Sequence, residues 1–278
     1  MLSRRTVEHL PAEKRGLVPG LPCACPRFSA SICVMYLITF TMALVADDKP
    51  VPPKIALAAP FAIPVNATTK VVFRGWKLNR EIVATTTVAD VTLKVVKHDN
   101  APVPGGQDAK QIGDTLVELD VTLPPGFIAT AVPVILSAGD QATSPFTLLV
   151  GGNHPVITEV EPNDGFRQAQ KIAVPQIVDG QIHADRNVDV FSIELADPQK
   201  LRFEVVAHRQ GSALDSLLTI FDTKGIKVAS NDDAESVDSM IETILSAGRY
   251  FIVLQDAHDH GGQTHPYRLI VEFAGPKE

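Results

Sequence analysis

Short segments in which apolar and polar side chains alternate run through most of this chain. Val117, Leu119 and Val121, for example, are separated by Glu118 and Asp120. Successive side chains of a β-strand point to opposite faces, so a period of two predicts strands with one buried and one hydrated face. No window keeps a helical period for more than a turn or two. We therefore predict an all-β protein.

The predicted strands fall into two groups, with Gly, Pro, Asn and Asp between them. Residues 47–152 are expected to form an Ig-like antiparallel β-sandwich, and residues 153–278 a jelly-roll-like antiparallel sandwich in tandem with it. The segment 151–155 (GGNHP) is the expected hinge. The strands are predicted at 70–75, 92–97, 115–121, 132–137 and 145–150, and then at 191–195, 201–205, 217–221, 226–229, 240–244, 250–254 and 267–273.

The N-terminus has the pattern of an export signal. Five basic residues precede an apolar run at 28–46, and two aspartates follow that run at once. We expect residues 1–46 to be a cleaved signal peptide, with a single membrane anchor as the alternative because about 19 apolar residues just span a bilayer. Both interpretations place the remainder outside the cytoplasm: secreted, at the cell surface or in the periplasm. All three cysteines, Cys23, Cys25 and Cys33, lie in this segment.

The distribution of charge excludes one class of partner and points to another. The chain has a net charge of −7, and residues 159–278 hold twenty acidic against eleven basic side chains. Nucleic acid is excluded as a partner because phosphate binding needs clustered Lys and Arg. Contact with a membrane is expected only through the N-terminal segment, if that segment stays uncleaved. The acidic half is where we expect a cation site.

The most informative acidic motif is EVEPND at residues 159–164. In an extended segment Glu159, Glu161 and Asn163 project to one side, and Pro162 favours extension. Ca²⁺ takes about six to eight oxygen ligands, so a calcium site here needs further donors from the rest of the fold. The motif therefore predicts a site that is completed elsewhere in the chain.

The additional donors are expected from the segment before a strong predicted strand, where Asp185, Asn187 and Asp189 stand at alternate positions. An alternative needs no cation. Asp164 would cap a short helical turn over 166–171, Asn163 would form an Asx turn, and both glutamates would stay solvated. The spacing alone leaves both interpretations open.

Several segments of the second half together resemble the bacterial pre-peptidase C-terminal domain family over about 120 residues. They are EVEPNDGFRQAQKI, GQIHADRNVDVFSIEL, LRFEVVAHRQGSALDSLLTIFDTKGIKVASNDD, AGRYFIVLQD and GGQTHPYRLIVEF. The resemblance implies a β-sandwich and, through the collagen-binding domains of clostridial collagenases, a Ca²⁺ site. The ligands that it implies are Glu159, Glu161, Asn163 and Asp164, and then Asp185 or Asp189. Residues 71–75 (VVFRG) and the polar loop after them resemble Ig-like domains of the TIG type.

The sequence contains no catalytic motif that would indicate an enzyme. It has no Gly-x-Ser-x-Gly elbow, no His-Glu-x-x-His, no P-loop and no dinucleotide fingerprint. His258 and His260, with Asp256 and His265 nearby, form the one alternative, because two imidazoles and a carboxylate are zinc ligands. Solvated side chains of a Gly-rich loop are the simpler interpretation of that run.

The sequence thus predicts an exported, non-catalytic, calcium-stabilised module for binding, adhesion or targeting. An extracellular protein or polysaccharide is the expected partner. Two alternatives remain: an accessory or inhibitory subunit of a secreted hydrolase such as a peptidase, and a metal-dependent hydrolase that uses His258 and His260.

Overall fold

The computed structural model describes residues 51–234 and 236–275. Its regular elements are strands apart from the four-residue helix α1 and one 3-10 helix, so the all-β prediction is confirmed. The predicted signal or anchor segment lies outside the described residues. Within the described ranges, no helix is long and apolar enough to cross a membrane.

Residues 54–150 form two sheets that pack face to face around one core. Their strand orders are β1-β3-β6-β5 and β2-β9-β7-β4, with β8 pairing to β7. The elements are β1 Lys54–Ala59, β2 Ala62–Ile63, β3 Ala67–Trp76, β4 Val83–Thr85, β5 Thr92–Asn100, α1 Ala109–Ile112, β6 Thr115–Leu123, β7 Ala131–Ala138, β8 Gln141–Ala142 and β9 Phe146–Val150.

Residues 156–273 supply the other two sheets. Their strand orders are β10-β12-β19-β14-β17 and β11-β13-β18-β15-β16. The elements are β10 Val156–Thr158, β11 Gln170–Lys171, β12 Gln176–Gln181, β13 Val188–Leu195, β14 Gln199–Val206, a 3-10 helix His208–Gln210, β15 Ser216–Asp222, β16 Lys227–Asn231, β17 Met240–Leu245, β18 Gly248–Asp256 and β19 Pro266–Phe273.

The alternating pattern explains how each core forms. Val117, Leu119 and Val121 on β6 are fully buried in the first core, and the acidic residues between them are only half-buried on the opposite face. Phe191 and Ile193 on β13 are buried in the second core, and Ser192 between them is buried as well. Removing such side chains from water is the main favourable term that holds the sheets together.

Three short strand pairs are parallel, whereas the sequence predicted antiparallel sheets throughout. They are β2 with β9, β10 with β12 and β11 with β13. β10 and β11 are connected by residues 159–169 and lie in different sheets of the second pair. The EVEPND motif therefore passes from one sheet to the other.

The segment 151–155, predicted as a hinge, is held by contacts with the second pair of sheets. The guanidinium of Arg268 donates to the carbonyl oxygen of Gly151 at 2.7 Å. The ring of His154 contacts the carboxylate of Glu272 at 3.0 Å. The backbone nitrogen of Ile177 donates to the carbonyl of Pro155 at 2.9 Å.

Candidate metal centre

Residues 159–164 are fixed at both ends by backbone hydrogen bonds. The nitrogen of Glu159 donates to the carbonyl of Asp179 on β12 at 2.9 Å, and the carbonyl of Asn163 accepts from the nitrogen of Val190 on β13 at 3.0 Å. Because β12 and β13 belong to opposite sheets, the segment closes one end of the second core. Glu159 and Asn163 are buried over that end, whereas the other side chains of the segment stay exposed.

Three of the predicted ligands meet within this segment. Glu159 is only 8% exposed and Asn163 is fully buried. The side-chain nitrogen of Asn163 donates to Glu159 Oε1, and the backbone nitrogen of Asn163 donates to Glu161 Oε2, each at 2.9 Å. The interpretation with two solvated glutamates therefore does not hold for Glu159. Residues 166–168 form a turn and β11 follows it, so the helical turn over 166–171 is absent.

Asp189, near the start of β13, is a fully buried carboxylate next to this group. Within the part of the chain that the structure describes, neither of its oxygens makes a hydrogen bond of ordinary geometry, although Glu159 and the hydroxyl of Tyr267 lie beside it. Burial and the adjacent Glu159 carboxylate raise the pKa of Asp189 to about 10. Burial likewise raises the pKa of Tyr267. The side-chain oxygen of Asn163 is a further buried acceptor that has no partner among the described residues.

Buried polar atoms almost always make hydrogen bonds, so several buried oxygens without one, close to the same carboxylate, call for an explanation. A bound ion or an ordered water is one accepted explanation for such atoms. Here the unpaired atoms are oxygens of Asn163, Asp189 and Tyr267, and they lie beside the carboxylate of Glu159. Oxygen atoms are the ligands that a hard cation takes.

Gly180 on β12 makes room for two of these side chains. A Cβ atom at this position would come within 2.5 Å of Glu159 Oε2 and of the Tyr267 hydroxyl. The next residue, Gln181, donates its backbone nitrogen to Glu159 Oε2 at 2.8 Å. Glu159 is thus held by a close backbone approach that only glycine allows.

Asp164 lies at the solvent side of the same group. Asn187 donates from its side chain to Asp164 Oδ1 at 2.8 Å, and its own side-chain oxygen accepts from the backbone nitrogen of His183 at 2.8 Å. The ring of His183 in turn contacts Glu161, with Nδ1 at 3.1 Å from Oε1. These contacts join the EVEPND segment to the loop that precedes β13.

The structure does not bring Asp185 to this group. Its carboxylate is exposed and accepts from the backbone nitrogen of Gly261 at 3.1 Å, on the loop before β19. Of the two loop aspartates suggested by the sequence, Asp189 is the one that lies with Glu159. The assignment of these residues as ligands stays a prediction.

His183 is a candidate ligand that the sequence analysis did not single out. One donor atom from each of Glu159, Glu161 and His183 lies within 4.8 Å of the other two. Two oxygen ligands on opposite sides of a Ca²⁺ ion are separated by about 4.8 Å, so these distances fit one shared ion. Within the described residues, no other group of three or more His, Cys, Asp and Glu side chains meets this criterion.

His258, His260 and His265 lie on the loop between β18 and β19, which we call the histidine loop, and are arranged differently from the group around Glu159. His258 contacts Asp215 with Nδ1 at 3.4 Å from Oδ2, whereas His260 and His265 each lie 3.9 Å from the buried carboxylate of Asp256. Asp256 already accepts hydrogen bonds from the backbone nitrogens of His258 and His260. The Asp256 carboxylate therefore holds the loop in place through hydrogen bonds from the loop's backbone nitrogens.

A cleft of about 840 Å³ lies beside the candidate centre. Residues 59–65 form one wall, and residues 156–159 and 179–181 with His183 form the other. Pro60, Pro64 and Val156 make the walls largely apolar, and His183 lies at the border shared with the centre. The volume is within the range of about 300–1,000 Å³ that is typical of ligand pockets.

No protein-family model matches the chain, and the search of curated proteins gives no match. Among solved structures, the chain is similar to the pre-peptidase C-terminal domain of a collagenase from Bacillus anthracis, at 14% identity and a TM-score of 0.33. That similarity covers 41% of this chain and 99% of the domain.

Two further solved structures are similar at lower scores. The secreted serine protease VesC from Vibrio cholerae has 10% identity and a TM-score of 0.28, with 78% of this chain and 49% of VesC covered. SGBP-B from Bacteroides ovatus, solved with a mixed-linkage heptasaccharide, has 8% identity and a TM-score of 0.21, with 75% and 71% covered. Similarities of this size indicate no function, and membership of the pre-peptidase C-terminal family stays a prediction.

Proposed function

We propose that this protein is an exported, non-catalytic binding module that is stabilised by a divalent cation, with Ca²⁺ as the expected ion. Its partner would be an extracellular protein or polysaccharide. One observation carries the proposal: within the described residues the fully buried carboxylate of Asp189 makes no hydrogen bond of ordinary geometry, and it lies beside the carboxylate of Glu159.

Electrostatics supports a cation at this place. Burial first, and then the adjacent Glu159 carboxylate, disfavour the ionised form of Asp189 and raise its pKa to about 10. A bound dication reverses this effect because it is the largest charge in the site and favours both ionised forms. Glu159, Glu161, Asn163 and Asp189 supply oxygen donors, and oxygen is the ligand type that Ca²⁺ prefers.

The cation would tie the EVEPND segment to β13. Glu159 and Glu161 stand on the connection between the two sheets, and Asp189 stands on β13 itself. The charge of the ion would offset the repulsion between these carboxylates and hold the connection closed over the core. Glu159 also lines the cleft, so the same ion would fix the shape of one cleft wall.

The cleft is the place where we expect a segment of the partner to bind. It has largely apolar walls and a few polar groups at one border, which is the usual composition of a binding pocket. In this arrangement the cation supports binding by positioning the wall. No chemical step is required of it.

The proposed function can be tested with the full chain on arrays of bacterial and plant polysaccharides and of matrix proteins. Retention should be measured in millimolar CaCl₂ and in chelator. We expect retention on at least one polymer in calcium and a loss of it in chelator. Retention on no polymer in either buffer would contradict the binding function.

Variants connect this binding to the centre. Glu161→Ala and Asp164→Ala should each abolish the effect of calcium, because both remove carboxylates of the EVEPND segment. His258→Ala is the matched control, since that ring contacts Asp215 on another loop. If His258→Ala abolishes the effect and Glu161→Ala does not, the histidine loop would be the functional centre.

A further inference from the structure

We propose that the centre is a mixed nitrogen–oxygen site in which His183 Nδ1 is a ligand, so that it binds a transition-metal dication such as Zn²⁺ more tightly than Ca²⁺. This inference rests on the proposed function, because it concerns the same cation site. It adds a ligand and changes the class of ion that the site prefers.

The position of His183 is set by its neighbours. Gln181, two residues earlier, donates its backbone nitrogen to Glu159, and the backbone nitrogen of His183 donates to the side chain of Asn187. Asn187 is itself bound to Asp164. The backbone of His183 is therefore held by the loop that also contacts the EVEPND segment, and its ring reaches Glu161.

The distances allow the imidazole to share an ion with the two glutamates. His183 Nδ1 lies 3.1 Å from Glu161 Oε1, and donor atoms of His183, Glu161 and Glu159 all lie within 4.8 Å of one another. A zinc ion takes nitrogen and carboxylate ligands at about 2.0–2.2 Å, which places adjacent donors about 3–4 Å apart. A small tightening of the group would complete such a site.

The buried carboxylate of Asp189 is the independent observation that separates this group from an ordinary surface ion pair. His183 and Glu161 have side chains that are 51% and 31% exposed, and alone they would form a pair of little energetic consequence. Asp189 is fully buried, makes no hydrogen bond of ordinary geometry with the described residues and lies against Glu159. Asp189 and His183 thus both lie next to Glu159, and the distances under 4.8 Å are those among Glu159, Glu161 and His183.

The donor types decide between the ions. Ca²⁺ is a hard ion that takes oxygen ligands, so an imidazole adds nothing to its affinity. Zn²⁺, Cu²⁺, Ni²⁺ and Fe²⁺ all accept imidazole nitrogen readily. A site with several carboxylates and one imidazole should bind Ca²⁺ through its oxygens and Zn²⁺ through both donor types.

The test is calorimetric titration of the chelator-treated full chain with ZnCl₂ and with CaCl₂, separately and in competition. We expect the two ions to compete for one site, with Zn²⁺ bound more tightly. His183→Gln should weaken Zn²⁺ by at least about tenfold, since even losing an outer partner of a metal ligand costs that much. The same variant should leave the Ca²⁺ affinity within about threefold, because imidazole is not a calcium ligand.

Two control variants and one spectrum complete the experiment. Asp189→Asn should abolish both titrations, and His258→Gln should change neither. In Cu²⁺-loaded protein, nitrogen hyperfine coupling in the electron paramagnetic resonance spectrum should be present and should disappear in His183→Gln. Circular dichroism of each variant checks that it is folded.

The outcomes separate this inference from the proposed function. If Ca²⁺ binds and His183→Gln leaves the Zn²⁺ affinity unchanged, the nitrogen ligand is wrong and the calcium site stands. If His258→Gln removes Zn²⁺, the zinc sits on the histidine loop and the inference is wrong. If neither ion binds, both are wrong.

Discussion

Replacing Asp189 by asparagine tests the electrostatic basis of the candidate centre. Asparagine has almost the same shape but no charge, and its amide can donate to the neighbouring Glu159 carboxylate. In cation-free protein the variant should be more stable than the wild type, which is the opposite of the usual effect of a substitution in a core. In calcium the order should reverse, because only the wild type gains stability from the ion.

The magnitude follows from the pKa of Asp189, which burial and Glu159 raise from 3.8 to about 10. The cation-free fold must keep this carboxyl protonated at pH 7, about three pH units above its unfolded pKa. At about 1.4 kcal/mol per unit, this costs up to about 4 kcal/mol relative to a neutral side chain. Asp189→Asn should therefore raise the free energy of unfolding by an amount approaching that limit.

The pH dependence has a definite sign. A carboxyl whose folded pKa lies above its unfolded value binds protons more tightly in the folded state. The stability that Asp189 contributes is therefore fully present below pH 3.8 and is lost as the pH rises towards 10. The difference between variant and wild type should thus be largest near neutral pH and above, and should vanish near pH 4.

Urea unfolding of the full chain, followed by far-ultraviolet circular dichroism in chelator at pH 4 and pH 7, measures this difference. Asp197→Asn is the control, because Asp197 is an exposed carboxylate on the turn after β13. The control should change the free energy of unfolding by less than about 0.5 kcal/mol. If Asp189→Asn is less stable than the wild type at pH 7 in chelator, the electrostatic reasoning is refuted.

Two further substitutions test the surroundings of the centre. Gly180→Ala would place a methyl group within 2.5 Å of Glu159 Oε2. This contact should lower the free energy of unfolding by about 1–3 kcal/mol. It should also weaken cation binding, which titration calorimetry measures. Gly105→Ala, where a Cβ meets nothing within 4 Å, should do neither, and equal effects of both changes would count against the packing argument. Arg268→Ala would leave the Asp179 carboxylate without its two hydrogen bonds from Arg268, at 2.6 and 2.9 Å. Urea unfolding should therefore show that the free energy of unfolding falls by about 3–5 kcal/mol. A fall below about 1 kcal/mol, as for an exposed pair, would show that this pair is not buried in solution.

The strands could be predicted from the sequence because alternation is a local signal. Each predicted segment overlaps a strand, and residues such as Val117 and Phe203 lie in the core as expected. The parallel pairing of β10 with β12 could not be predicted, since it depends on where a three-residue strand lies relative to a distant one. Short strands carry too few residues for a period to be recognised.

The candidate site was predictable only in part for the same reason. Glu159, Glu161 and Asn163 are close in sequence, so their spacing shows that they can meet. His183 and Tyr267 are distant in sequence from the EVEPND segment and are brought to it by strand pairing. β10, which precedes the segment, pairs with β12, and His183 follows β12. Tyr267 on β19 lies opposite Gly180 of β12. Tyr267 was not predicted as part of the site. A tyrosine on the apolar face of a predicted strand needs a partner for its hydroxyl, and this is the signal that would have indicated it.

The central claim is that a divalent cation is part of the folded protein, and differential scanning calorimetry of the full chain tests it most directly. Melting should be recorded in chelator and at increasing CaCl₂ and ZnCl₂. An ion at 100 times its Kd adds about 2.7 kcal/mol, which for a folded region of this size raises the Tm by about 5–10 °C. We predict such a rise with both ions, and coincident melting curves in chelator, calcium and zinc would contradict the account.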